Sequence, residues 1–148
     1  METGDDVLRD GTTTTTATTT KTLRERAQDI VYETEDVFEK CSRTHELFGA
    51  FMRGEVEVGG ELPKLTFEKD TQPSRPSKLR LVAPKNVPSA KMSQLEFNQH
   101  CLHNLAHIEL NAVDFALDTV VRFGGGMPRE FSLDFMRVAD DESRHYQW

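Results

Sequence analysis

The sequence predicts an all-α domain built on a long helical hairpin, and three observations carry the prediction. Apolar residues recur at helical spacing in most of the chain after Lys21. Every proline but Pro128 falls between residues 62 and 89, so the helix-breaking signal is confined to one connector. Gly124-Gly125-Gly126-Met127-Pro128 then separates two apolar stripes, as a tight turn between helices does.

Taken in order, residues 1–21 are polar, with threonines from Thr12 to Thr20 broken by Ala17, and are expected to be a disordered tail without assigned function. The partial domain runs over 22–148. From Thr22 to Cys41, Leu23, Ala27, Ile30, Val31, Val37 and Phe38 form a stripe, and Thr22 with Glu25 fits a capping box. A second helix, from Ser42 or Thr44 to Arg53, carries Leu47, Phe48, Phe51 and Met52 and is stopped by Gly54 and Gly59-Gly60. The simplest role for both is to pack against the hairpin.

Residues 54–91 form a connector in which Pro63, Pro73, Pro76, Pro84 and Pro88 rule out a long helix. Leu79, Leu81 and Val82 suit an extended strap pinned to the domain, and Arg75, Lys78, Arg80 and Lys85 give it local positive charge. A solvated connector is the plainer reading of these cations, with anion binding as the alternative. Helical pattern resumes at Met92 or Ser93 and opens the hairpin, 92–148.

In the first hairpin helix Leu102, Leu105, Ala106, Ala112, Val113, Ala116 and Val120 make the apolar stripe, and Glu109 interrupts it. In the second, Phe131, Phe135, Val138 and Ala139 lead to Glu142, with His145 three residues on. Glu109 precedes Phe123 by 14 residues, and Glu142 follows Pro128 by 14. Each carboxylate therefore sits roughly 21 Å from the turn. Antiparallel neighbours with axes about 8–10 Å apart bring the two to one height. Two like charges in an apolar seam call for a proton or a cation between them. Glu142-Ser143-Arg144-His145 is a Glu-x-x-His motif whose ends share one helix face. Bundle di-iron and di-manganese proteins carry that motif on two helices and a single Glu on two others, so this chain supplies one of each. The candidate metal ligands are Glu109, Glu142 and His145. The plainer alternatives are a solvated acidic turn of Asp140, Asp141 and Glu142, and a Glu109 paired with Arg137 or Arg144.

His103, His107, Asn111, Asp114 and Asp118 form a polar stripe beside the Glu109 face, with His100 in register. Such a stripe reads as the wet side of a helix, with His107 or His103 available to hydrogen-bond a ligand carboxylate. The glycine triplet follows a helix and lacks a Lys-Ser/Thr successor, so it reads as a turn rather than a phosphate cradle.

A net charge of −7 speaks against a general nucleic-acid or anionic-membrane surface. No apolar run is long enough to cross a membrane, and the acidic N-terminus has no secretory core. Cys41 and Cys101 read as free thiols in a reducing compartment, which points to the cytoplasm. The helical pattern reaches Trp148 without a stop signal, so the chain is expected to be truncated within a helix.

Several runs resemble the ferritin-like uncharacterised family known as domain of unknown function 455. They are Pro73-Ser74-Arg75-Pro76, Leu81-Val82-Ala83-Pro84, Val87-Pro88, Leu102 through Asp118, Met127-Pro128-Arg129-Glu130-Phe131, and Val138 through His145. The segment from Leu23 looks like that family's opening helix. The resemblance implies a ferritin-like bundle, distantly like di-iron carboxylate proteins including a tRNA-hydroxylating enzyme. By position, Glu109 matches the first-helix ligand, and Glu142 with His145 the second-helix pair. The implied metal is iron or manganese. The third and fourth bundle helices are missing after Trp148, which leaves a second metal position without its ligands. The expected function is a metal-binding domain, an oxidoreductase of unknown substrate in the full-length form and impaired here. A homodimer through the exposed half-bundle seam is the expected partner. The alternatives are a non-enzymatic helical interaction module or an inert truncated product.

Overall fold

A computed structural model describes residues 21–60 and 71–148. Most of the threonine-rich tail, and the connector residues 61–70 with Leu62 and Pro63, lie outside the described residues. The described chain is all-α: α1 (Leu23–Glu33), α2 (Val37–Met52), α3 (Phe97–Phe123) and α4 (Arg129–Gln147), with short 3-10 turns at Pro84–Asn86 and Gly124–Gly126. No described residue is in a strand. No helix among them is long and apolar enough to cross a membrane.

The capping box at the start of α1 forms as the sequence predicts. Glu25 N–H donates to Thr22 Oγ1 (3.4 Å), and Thr22 N–H donates to Glu25 Oε2 (2.8 Å). The helix expected from Thr22 to Cys41 is instead two helices, broken at Thr34–Asp36. Asp36 is the reason: its carboxylate accepts from Glu39 N–H (2.8 Å) and starts α2 there. The second helix therefore begins well before Ser42, and Phe38 leaves the expected stripe to lie exposed, edge-on to Tyr146.

The core is drawn from all four helices. Leu23, Ala27 and Val31 of α1 meet Leu47 and Phe51 of α2, Val113, Leu117 and Val120 of α3, and Met136 and Ala139 of α4. A buried aliphatic side chain contributes roughly 1.5–3 kcal/mol, so the C-terminal half of α3, with Val113, Leu117, Val120 and Val121 fully buried, holds the hairpin to the body. The N-terminal half differs: Leu102, Leu105 and Ile108 are exposed, and so is Val138 on α4. The stripe is on the expected face, but no described element covers that end.

Two side chains tie the layers together. Arg24 donates from Nε and Nη2 to the Val121 carbonyl (3.0 and 2.7 Å), satisfying an acceptor near the end of α3. The chain after α2 turns at Gly54 and Gly59, both at positive φ, and returns so that Glu57 O accepts from Leu23 N–H (2.8 Å). A Cβ on Gly59 would also stand 2.8 Å from the Thr22 side chain.

Asp114, expected on the wet stripe of α3, is buried. Its Oδ1 pairs with the fully buried Lys40 Nζ (2.9 Å), and its Oδ2 pairs with Arg75 Nη1. Lys40 also donates to the carbonyls of Val31 (3.2 Å) and Ser74 (2.9 Å). Burial pulls the Lys40 ammonium below its usual range, with Asp114 opposing. Ser74 N–H to Val31 O (2.8 Å) completes the anchor that docks the strap on α1, α2 and α3.

Candidate metal centre

α3 and α4 are antiparallel neighbours joined by the Gly124–Gly126 turn, with Pro128 at the N-cap of α4. Glu109, Glu142 and His145 meet where equal distance from that turn predicts. One ligand atom from each lies within 4.8 Å of the other two. His145 Nδ1 stands 2.9 Å from Glu142 Oε2 and 3.9 Å from Glu109 Oε2. Their side chains are 24% (Glu109), 25% (Glu142) and 44% (His145) exposed, so the cluster sits on the rim of the seam rather than in the core.

The electrostatics follow from crowding. Glu109 and Glu142 are close enough to share a hydrogen bond, which only a protonated carboxyl can donate. Glu142 holds the Glu109 carboxyl above its ordinary range, first as hydrogen-bond acceptor, then with desolvation and charge repulsion adding. Glu142 moves the other way, below its ordinary range, because Glu109 and His145 both bond to it. Glu142 in turn lifts His145 above the ordinary imidazole range. Protons are thus favoured on Glu109 and on His145, and negative charge on Glu142.

These are the charges a divalent ion would displace. Oxygen and nitrogen ligands at about 2.0–2.2 Å from one ion lie roughly 3–4 Å apart, so side-chain rotation suffices to gather a cluster that spans 4.8 Å. Two carboxylates and an imidazole suit iron, manganese or zinc rather than a soft-metal site. Three such groups would not by themselves fill the coordination shell of a divalent ion.

The plainer alternatives for these residues are corrected by their neighbours. Arg144 pairs with Asp141 and lies 3.4 Å from Asp140, and Arg137 pairs with Asp134 (3.6 Å), so neither neutralises Glu109. Asp140 is buried against His45 Nδ1 (2.6 Å), so within the acidic run only Asp141 keeps a half-exposed side chain. His107 makes no hydrogen bond to Glu109: the two are only two residues apart on α3 and point to different sides, and its Nε2 meets Asn111 Nδ2 (3.2 Å). His103 faces a groove shared with the strap. Sequence reasoning did not find the His45–Asp140 contact, which ties α2 to α4 one turn from the cluster. No local spacing signals it.

A family model described as "Protein of unknown function (DUF455)" matches residues 33–148. An uncharacterised protein of Haemophilus influenzae is 33% identical over 115 residues, a stretch that covers 73% of this chain and 40% of that protein's length. The chain thus corresponds to less than half of that relative. No solved structure matches the chain.

Proposed function

The chain belongs to the DUF455 family, and we propose that its α3–α4 hairpin binds a divalent transition metal, iron or manganese, through Glu109, Glu142 and His145. One observation carries the reading: two carboxylates of like charge converge with an imidazole on one spot, at the mouth of the seam. A cation would offset the repulsion and compete with protons for the same groups. We extend the reading to a ferritin-like carboxylate centre and, in the full-length form, to an oxidoreductase whose redox chemistry the metal would supply. Glu109 and Glu142 would hold and neutralise the ion, and His145 would orient it from the α4 side.

Anaerobic Fe(II) titration tests the assignment. Uptake at one site per chain, abolished by Glu109→Ala or Glu142→Ala, supports it. Equal uptake by the variants ends it.

The exposed Leu105, Ile108, Phe115 and Val138 favour a second reading, in which this face docks an apolar helical partner, a second copy of the chain included. That reading predicts association independent of metal, read as a molecular mass unchanged by chelator.

A further inference from the structure

Away from the carboxylate cluster, the strap and the first turns of α3 enclose an open groove of about 620 Å³. Two sequence features of no evident purpose meet in it. Arg80 comes from the basic strap, and His100, His103 and His107 come from one face of α3. Leu79, Leu81, Val87 and Pro88 supply an apolar wall.

We propose that this groove binds a small organic anion with an apolar body, its acidic head held by Arg80 and the histidine rings and its body laid along the strap leucines. Charge is the first argument. The chain carries a net −7, yet no Asp or Glu is among the described residues lining the groove, and Lys78 and Lys85 flank Arg80 on the strap. A local field opposite in sign to that of the whole molecule selects an anion. Shape is the second. Small-molecule sites run to about 300–1,000 Å³ and combine apolar walls with a few polar groups. A single guanidinium with imidazoles suits one acidic head, and the leucine wall has no counterpart in a phosphate backbone.

Preorganisation is the third argument. The strap wall is fixed by the buried pairing of Arg75 with Asp114, beside Lys40. The same Arg75 donates from Nη2 to Asn111 Oδ1 (3.1 Å), so the Asn111 amide nitrogen is the one that faces His107 Nε2. The Asn111 amide donates to His107 Nε2 and sets the orientation of that ring. A hydrogen-bond chain thus runs from the buried ion pair to a residue of the groove.

Dodecanoate, titrated below micelle-forming concentrations and followed by calorimetry and by nuclear magnetic resonance of the histidine side chains, is the probe. The expected result is saturable one-to-one binding, shifts at His100, His103 and His107, and a loss of about tenfold in affinity in Arg80→Ala. Arg80 is exposed, so the variant keeps the fold, and Leu81→Asp gives a second disruption from the apolar wall. Four results overturn the proposal: no binding, equal binding of dodecyltrimethylammonium, shifts confined to the outer α3–α4 face, or attachment to phosphatidylglycerol vesicles without binding of monomeric dodecanoate.

Discussion

Helix α3 carries two charged clusters, five residues apart, and they are opposites. Asp114 sits in the buried arc with Lys40 and Arg75, one carboxylate between two cations, and Lys40 has three acceptors around its ammonium. Glu109 sits on the rim with Glu142 and His145, two carboxylates against one imidazole. Burial costs a charge several kcal/mol unless its partners are supplied, so the inner cluster is stable only because the chain brings its own cations. The outer cluster is exposed enough to survive without one, with the Glu109 carboxyl held above its ordinary range. A closed cluster of this kind fixes structure, and an open one leaves a charge position to be filled from solution.

The sharpest way to break the contrast is Asp114→Ala. It would leave Lys40 and Arg75 buried side by side with no counter-charge, and is expected to lower the unfolding free energy by about 3–5 kcal/mol in urea titration. Glu142→Ala should do the reverse: barely shift the urea midpoint, yet weaken Fe(II) or Mn(II) binding roughly a hundredfold or more, since a direct ligand counts for more than a supporting one. If both variants unfold equally easily, the outer cluster is structural too.

Arg75→Ala comes next. Lys40 still neutralises Asp114, so the expected loss is about 1–3 kcal/mol, and the strap's hydrogen bond to Asn111 goes with it.

The hairpin and the meeting of Glu109, Glu142 and His145 could be read from the sequence because both rest on short-range arithmetic. A 3.6-residue period fixes the face, and equal distance from a turn fixes the height. The inner cluster could not. Asp114 stands between Asn111 and Asp118 on a polar stripe, and only tertiary contact with Lys40, 74 residues away, turns that stripe inward. The exposure of Leu102 and Leu105 was hidden for a related reason: periodicity tells which way a residue points, not how far the facing element reaches. The break at Thr34–Asp36 was within reach, since Asp36 followed by Glu39 is an N-cap signal, but an unbroken apolar stripe outweighed it.

Proton competition sharpens the outer half of the comparison. Metal binding must displace the protons that Glu109 and His145 hold more tightly than usual. Affinity for Mn(II), measured by electron paramagnetic resonance, should therefore rise with pH until His145 has passed through its raised pKa. Below that point it should fall by about tenfold per pH unit for each proton displaced. A flat profile would mean that the ion binds elsewhere.

The smallest expected effect has the most diagnostic sign. Glu109→Gln keeps a donor toward Glu142 but removes one of the two charges. Because the Glu109 carboxyl is raised in the fold, its favourable contribution is complete only below the ordinary carboxyl range and is lost as pH rises through the folded value. At neutral pH the metal-free variant should thus melt at the same temperature as the parent or slightly higher, and the difference should vanish in acid. Saturating Mn(II) should reverse the order, stabilising the parent in proportion to its occupancy and leaving the variant unmoved. A carboxylate kept for structure, as Asp114 is, gives the opposite pattern: its amide variant melts lower with or without metal.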